Sequence, residues 1–139
     1  MKILFDTNVI LDVMLDRTPF SEPACQLLSL VERGDISGII CATTVTTIHY
    51  LATKILGQKE SKNTIRELIT LFEIASVNRT VVEKAIRSQF TDFEDSVIHQ
   101  AAIHSGAVAI TTRDSKGFKQ SNVPVYSPVE LLKILQFIE

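Results

Sequence analysis

The sequence predicts an α/β fold, an open parallel sheet of about five strands with helices on both faces. Its short apolar runs lack polar alternation, which is typical of strands buried on both sides. Segments with helical spacing separate these runs, which indicates parallel pairing through right-handed crossovers. The length of 139 residues suits one domain with a packed core. We therefore expect residues 1–139 to form a single domain.

Five runs are predicted strands, at residues 2–5, 38–42, 73–77, 108–111 and 123–126. Seven helices are predicted, at residues 9–15, 21–33, 44–56, 61–72, 80–88, 93–104 and 128–137. The second helix would place Cys25, Leu28 and either Val31 or Glu32 along one side, and Gly34 would follow it as a C-cap. The two successive helices within residues 44–72 predict a helical hairpin that projects from the sheet.

Composition restricts the possible partners and compartments. The net charge of −2 argues against a protein that holds nucleic acid by overall positive charge. Cys25 and Cys41 have no CxxC spacing, so we expect buried, reduced thiols in a cytoplasmic protein. Asp6 and Asp12 interrupt the apolar start before it reaches the length of a secretory signal. No stretch approaches the roughly 20 apolar residues of a membrane span.

Two acidic residues follow predicted strands directly. Asp6 follows the first strand, and Asp114 lies shortly after the fourth. Ligands of parallel sheets bind beyond the carboxyl ends of the strands, so both side chains should stand at the same crevice. Asp also caps helices and turns well, and a capping role for either residue remains an equal alternative.

A third acidic group precedes the helix at residues 93–104. Thr91 with Glu94 fits a capping box, so one acid here is structural. Three acids within six residues exceed what a cap needs, and Asp92 and Asp95 share a helix face. We assign Asp95 to the site first and Asp92 second.

Carboxylates gathered in one crevice need a counter-charge. Two of them about 4 Å apart repel by roughly 4 kcal/mol at an effective dielectric of 20. Oxygen ligands suit Mg²⁺ or Mn²⁺, which keep most of their waters and take few carboxylates. Such an ion can activate water for the hydrolysis of a phosphodiester.

Together these segments resemble the PIN domain, the nuclease module of VapC-type toxins in bacterial toxin–antitoxin pairs. The resemblance spans nearly the whole chain and rests on FDTNVILD at residues 5–12, DFEDS at 92–96, GA at 106–107, TTRD at 111–114, Phe118, and PVYSPVELL at 124–132. It implies an αβα sandwich and a Mg²⁺- or Mn²⁺-dependent ribonuclease that acts on RNA. It also implies a homodimer and a small antitoxin partner, with residues 21–33 and the hairpin as candidate contact surfaces.

The resemblance also implies roles for particular residues. Asp6, Asp95 and Asp114 would bind the metal, and Asn8 would orient the site by hydrogen bonding. The family commonly has a further acid, usually Glu, after the second strand, where this chain has Thr47. The absence of that carboxylate would weaken metal binding, leave Asp92 or Glu94 to bind the metal in its place, or reduce activity. Thr7 and Thr112 would be supporting polar groups at best.

Other polar and aromatic residues have less definite roles. Phe20 and Tyr50 are predicted core residues, and His49 and His99 are predicted hydrogen-bonded helix histidines. Two basic groups would either contact phosphate near the cleft or form solvated surface. They are Lys54, Lys59, Lys62 and Arg66 on the hairpin, and Arg113, Lys116 and Lys119 around Asp114.

Two other enzyme and signalling classes also place acids at strand ends. A haloacid dehalogenase phosphatase needs a second Asp where this chain has Asn8, and a response-regulator receiver needs a mid-chain Asp where Val77 and Asn78 stand. Neither class fits. The remaining alternative is a PIN-like module that binds RNA or protein. Its catalysis would be weakened because Thr47 replaces the acid that the family commonly has at this position.

Overall fold

The protein has a five-stranded, fully parallel sheet, as expected. The computed structural model describes residues 1–138, with side chains up to residue 136. The strand order is β3-β2-β1-β4-β5, which confirms the predicted open sheet. The strands are β1 (Lys2–Phe5), β2 (Ser37–Cys41), β3 (Glu73–Ala75), β4 (Ala109–Thr111) and β5 (Val125–Tyr126).

All seven predicted helices are present. They are α1 (Thr7–Met14), α2 (Ser21–Glu32), α3 (Ala42–Leu56), α4 (Gln58–Leu71), α5 (Arg79–Ile86), α6 (Phe93–His104) and α7 (Pro128–Ile138). Both α1 and α3 begin two residues earlier than predicted, so that each follows its strand almost directly. A short 3₁₀ turn (Ser115–Phe118) lies between β4 and β5 and was not predicted.

Helices cover both faces of the sheet, so the core has two layers. Ile3 and Phe5 of β1 pack into the layer beneath α1, α2, α3, α4 and α7. Leu4, between them, points to the opposite layer beneath α5 and α6, as the alternation of a strand requires. Phe5 meets Phe72 edge-to-face at 5.1 Å between ring centroids. The sheet is therefore buried on both sides, which explains its unbroken apolar runs.

The predicted hairpin is formed by α3 and α4. Gly57 joins the two helices with φ +89°, a conformation that glycine adopts readily. Buried Ser61 of α4 donates a hydrogen bond to the His49 carbonyl oxygen of α3 at 3.0 Å. Ile55 and Leu56 at the far end are exposed. The inner part of the hairpin thus belongs to the core, and its tip reaches solvent.

Three sequence-based expectations about burial are wrong. The inner face of α2 consists of Ser21, Ala24, Leu27 and Val31, so Cys25 is exposed rather than buried. Apolar residues occur at helical spacing on two faces of α2, and the face without Cys25 is the one that packs against the core. Phe20 and Tyr50 are also exposed rather than in the core.

Two other expectations agree with the structure. Gly34 follows α2 with φ +79°, as expected of a residue after a helix C-terminus. Among residues 1–138, the helices lack the length and continuous hydrophobicity that crossing a bilayer requires.

Candidate active site

The site begins where β1 and β4 end side by side. Asp6 follows β1, and its backbone N–H donates to the Thr111 carbonyl oxygen at 3.0 Å. The Asp6 side chain is 5% exposed, and its Oδ1 accepts from the Thr7 N–H at 2.8 Å as the N-cap of α1. The capping alternative is therefore real, but it uses only one of the two carboxylate oxygens.

Thr112 connects the parts of the site. Its buried hydroxyl donates to Asp6 Oδ2 at 2.8 Å and accepts from the Asp114 N–H at 3.0 Å. Asn8 Nδ2 lies 3.2 Å from the same hydroxyl and 3.4 Å from Asp6 Oδ2, while Asn8 Oδ1 accepts from the Arg113 N–H at 3.2 Å. Thr112, which the sequence suggested only as a supporting group, thus fixes Asp6 relative to the loop that carries Asp114.

Asp95 and Asp114 face one small space next to Gly117. A Cβ atom built on Gly117 would lie 2.6 Å from Asp114 Oδ2 and 2.8 Å from Asp95 Oδ2. The other oxygen of Asp114 accepts from the Gly117 N–H at 3.1 Å and caps the 3₁₀ turn. Glycine therefore leaves open a position within reach of two carboxylates that lie far apart in the sequence.

Asp92 has a structural role that the sequence assigned to Thr91. Its side chain accepts from the Asp95 N–H at 2.9 Å and is the N-cap of α6. The predicted capping box of Thr91 and Glu94 is wrong, because the helix begins one residue later than that motif requires. Capping by Asp92 also fixes the first turn of α6, from which Asp95 projects.

Burial and mutual repulsion keep a proton on Asp95. Burial is the larger cause, and the charges of Asp6, Asp92, Asp114 and Glu94 add to it, raising the pKa of Asp95 to about 7. A carboxyl that is half-protonated at neutral pH is a common feature of functional sites.

The pKa of Asp6 is raised as well. Burial raises its pKa, and hydrogen bonds from Thr112 and Thr7 partly oppose that rise. The charges of Asp114 and Glu94 then raise it further. Asp6 and Asp95 therefore both lie within the electrostatic field of Asp114 and Glu94. Among the described residues, no ion pair is formed by Asp6, Asp95 or Asp114.

The donor set fits a hard divalent cation. It consists of oxygen atoms, with an opening at Gly117 that a side chain would fill. Within residues 1–138, no three Asp, Glu, His or Cys side chains are already gathered as a complete ligand set. Mg²⁺ and Mn²⁺ do not need one, because they take one or two carboxylates and complete the shell with water. The residues present therefore fit such an ion.

The side of the site formed by α3 presents hydroxyl groups. Buried Thr44 shares a hydrogen bond with Thr7 at 2.9 Å between hydroxyl oxygens. Thr47 donates to the Thr43 carbonyl oxygen at 3.1 Å, within its own helix. Glu94, at the start of α6, is close enough to raise the pKa of both Asp6 and Asp95.

Asp12 is a buried acid of a different kind, which sequence reasoning did not single out. Its fully buried carboxylate pairs with Arg17 Nε at 2.8 Å and with Arg113 Nε and Nη2 at 2.6 and 3.1 Å. The Arg113 guanidinium also lies 3.9 Å from the Phe20 ring centroid. Arg113 therefore braces α1 against the Asp114 loop, and the two predicted alternatives for it, phosphate contact or solvated surface, stay predictions.

The histidine and lysine expectations have separate outcomes. His99 Nε2 accepts from the Asn122 N–H at 3.0 Å, which confirms the predicted hydrogen-bonded histidine. Lys54 on the hairpin lies 4.4 Å from the Tyr50 ring centroid, so part of the basic surface is held by a cation–π contact.

The chain is similar to known proteins over nearly its full length. The family model for the PIN domain matches residues 2–116. Ribonuclease VapC1 of Aquifex aeolicus (strain VF5) is 28% identical over 144 residues, covering 99% of this chain and 94% of that protein.

Two solved structures share the fold at lower identity. A toxin–antitoxin complex from Klebsiella pneumoniae contains a chain that is 22% identical, with a TM-score of 0.69, covering 91% of this chain and 97% of that one. The DNA-bound VapBC of Salmonella typhimurium gives 17% identity and a TM-score of 0.70, covering 92% and 98%. The strand-end acids, the parallel sheet and these matches agree, and the protein belongs to the PIN domain family.

Proposed function

We propose that this protein is a Mg²⁺- or Mn²⁺-dependent endoribonuclease that hydrolyses RNA phosphodiester bonds. The observation that carries the proposal is the open space at Gly117, within 2.8 Å of carboxylate oxygens of both Asp95 and Asp114. Asp6 shares their electrostatic field from the end of β1. The name of the Aquifex relative, a ribonuclease, supports RNA as the substrate.

Asp95 and Asp114 would hold the ion, with Asp6 next to them and Asp92 as a further acid. The bound ion would activate a water molecule and offset negative charge on the scissile phosphate. Thr112 and Asn8 fix the orientation of Asp6 through their hydrogen bonds. Asp95 must give up its proton when the ion binds, because only the carboxylate is a ligand.

A cleavage assay tests the activity directly. Purified protein is incubated with total RNA in Mg²⁺, in Mn²⁺ and in EDTA. Fragments are expected with either ion and not with EDTA. Cleavage that persists in EDTA would refute the metal-dependent mechanism.

The biological role we propose is that of a toxin restrained by a small antitoxin in the cytoplasm. The Klebsiella toxin–antitoxin complex supports a protein partner of this kind. Production of the chain alone should slow growth, and co-production of the product of an adjoining short reading frame should restore it. A homodimer, through α2 or the hairpin, stays a prediction that sedimentation analysis can test.

The threonine at position 47 favours a second candidate, a module that binds RNA without cleaving it. No carboxylate stands on this face of α3, where Thr47 bonds within its own helix. The variant Asp6→Asn separates the two functions. In the enzyme it should abolish cleavage, whereas in a binding module RNA affinity should stay nearly unchanged and the parent protein should not cleave.

A further inference from the structure

A cavity of about 420 Å³ is lined in part by His99, which lies one helical turn after Asp95 on α6. Its walls combine the end of α5, the middle of α6 and the segment after the 3₁₀ turn. The lining includes two cations, several side-chain amides and two aromatic rings. Among them are Lys84, Arg87, Phe90, His99, Gln100 and Gln120.

His99 is an unsatisfied polar group in the wall of this cavity. The ring is 2% exposed, and Nε2 accepts from the Asn122 N–H. The proton of the neutral ring is therefore on Nδ1, which has no hydrogen-bond partner among the described residues. Burial lowers the pKa of His99 and keeps the ring neutral. A buried donor without a partner is unfavourable, and a group bound in the cavity would supply the missing acceptor once the ring shifts to expose Nδ1.

Aromatic surface adjoins this donor. Phe90 stacks on His99 with centroids 4.7 Å apart and an interplanar angle of 30°. Phe90 also meets Phe118 of the 3₁₀ turn at 5.9 Å. The pair of rings therefore links the cavity to the turn that Asp114 caps. Stacking surfaces of this type hold bases of single-stranded nucleic acid with little sequence preference.

The cations of the cavity are free to bind an anion. Lys84 and Arg87 form no ion pair within the described part of the chain, whereas Arg79 on the same helix pairs with Glu83 at 2.6 Å. Gln100 and Gln120 each carry a donor and an acceptor that suit the edge of a base. The cavity thus offers charge for a phosphate and amides for a base.

We propose that this cavity binds one nucleotide of a single-stranded RNA, next to the bond that is cleaved. Arg87 and Lys84 would contact its phosphate, and Phe90, His99 and the amides would contact its base. Asp95 and His99 are one turn apart on the same face of α6, about 5–6 Å between Cβ atoms. One strand can therefore reach both places. The inference rests on the proposed function and names where the substrate binds.

Binding in EDTA tests the inference without cleavage. The probe is a fluorescein-labelled, random-sequence, single-stranded RNA of twelve nucleotides, followed by fluorescence anisotropy. Arg87→Gln should weaken affinity about five- to tenfold and lower the salt slope by about 0.7, the loss of one phosphate contact. Arg79→Gln is the matched control on the same helix, outside the cavity, and should change affinity less than twofold. Equal effects of the two variants would overturn the proposal.

Competition distinguishes a nucleotide from its phosphate alone. A mixture of nucleoside 5′-monophosphates should displace the labelled RNA at lower concentrations than inorganic phosphate does, and Arg87→Gln should reduce that difference. Equal competition by inorganic phosphate would overturn the base-binding part.

The two proposals can also fail separately. Metal-dependent cleavage together with an inert Arg87→Gln would overturn only the inference about the cavity. An effect of Arg87→Gln on binding without any cleavage would refute only the proposed activity.

Discussion

Asp12 and Asp95 are both acids in or near the core, but their surroundings carry opposite charges. Asp12 is fully buried and is neutralised by Arg17 and Arg113. Asp95 faces three other acids besides Asp6 and has no cation against it in the described part of the chain. A charge that the chain neutralises itself belongs to the framework. A group of charges left without a counter-ion indicates that the counter-ion comes from outside.

The difference is also one of energy. Removing one member of a buried ion pair is strongly destabilising, since the other charge is left without its partner. Removing one of several repelling carboxylates relieves an unfavourable interaction instead. Substitutions at Asp95 should therefore affect activity and spare stability, whereas substitutions at Asp12 should affect stability first.

The largest expected effect is that of Asp95→Asn. It keeps the shape of the side chain and removes one of the two carboxylates that face Gly117. RNA cleavage in Mg²⁺ should fall by about 100-fold or more, because the ion that would stabilise the developing charge loses a ligand. Thermal unfolding should occur at the same or a higher temperature. The control is Asp35→Asn, which removes an exposed acid paired with Arg33 and should leave cleavage unchanged.

The substitution Gly117→Ala should come next, because its new methyl group would occupy the space between Asp95 and Asp114. We expect Mn²⁺ affinity, measured by calorimetry, to fall about tenfold, since a ligand oxygen must move or be lost. Lys116→Ala in the same 3₁₀ turn is the matched control. Unchanged Mn²⁺ affinity in Gly117→Ala would place the ion elsewhere.

The opposite outcome is expected for Asp12→Asn. Its two arginine partners are partly exposed and can regain water, so the loss should lie near about 2–3 kcal/mol of unfolding free energy. Urea denaturation measures it. Cleavage at temperatures where the variant stays folded should fall far less than in Asp95→Asn. A stability equal to that of the parent protein would contradict the bracing role.

A pH dependence of stability is also expected in the absence of metal. The folded state holds a proton on Asp95 up to about pH 7, while the unfolded chain releases it near 3.8. Between these values the folded state binds more protons, so the unfolding free energy of the parent protein should fall as pH rises.

Asp95→Asn lacks this titration. Its stability advantage over the parent should therefore grow from pH 4 to pH 7 in EDTA and stay constant above. An advantage that shrinks over this range would show that the sign of the pKa shift is wrong.

The sequence predicted an element correctly wherever its local pattern was compatible with only one packing arrangement. The strands of the sheet, all seven helices and the hairpin followed from apolar runs and spacing. The face of α2 did not, because Cys25 and Ala24 both lie on apolar stripes of similar strength, and contacts from other helices decide which one is buried. The start of α6 was uncertain for a similar reason, since Thr91 and Asp92 can both cap a helix and only the observed backbone selects Asp92.

The site shows the same division. Asp6 and Asp114 were predicted from strand ends, Asp95 from an excess of acids at a helix start, and all three from the family resemblance. The structure places Asp6 and Asp114 close enough to Asp95 to raise its pKa. Thr112 and Arg113 were underestimated, because a Thr or Arg near a strand end has no distinctive pattern. Their importance comes from partners about a hundred residues away in the chain, Asp6 for one and Asp12 for the other.

By itself, then, the sequence determined the order of elements and the positions of the acids, since both depend on periodicity and on residues adjacent in the chain. Only the tertiary structure decided which acids are neutralised and which are not. Electrostatic energy depends on distances through space and on burial, and neither is fixed until distant segments pack together.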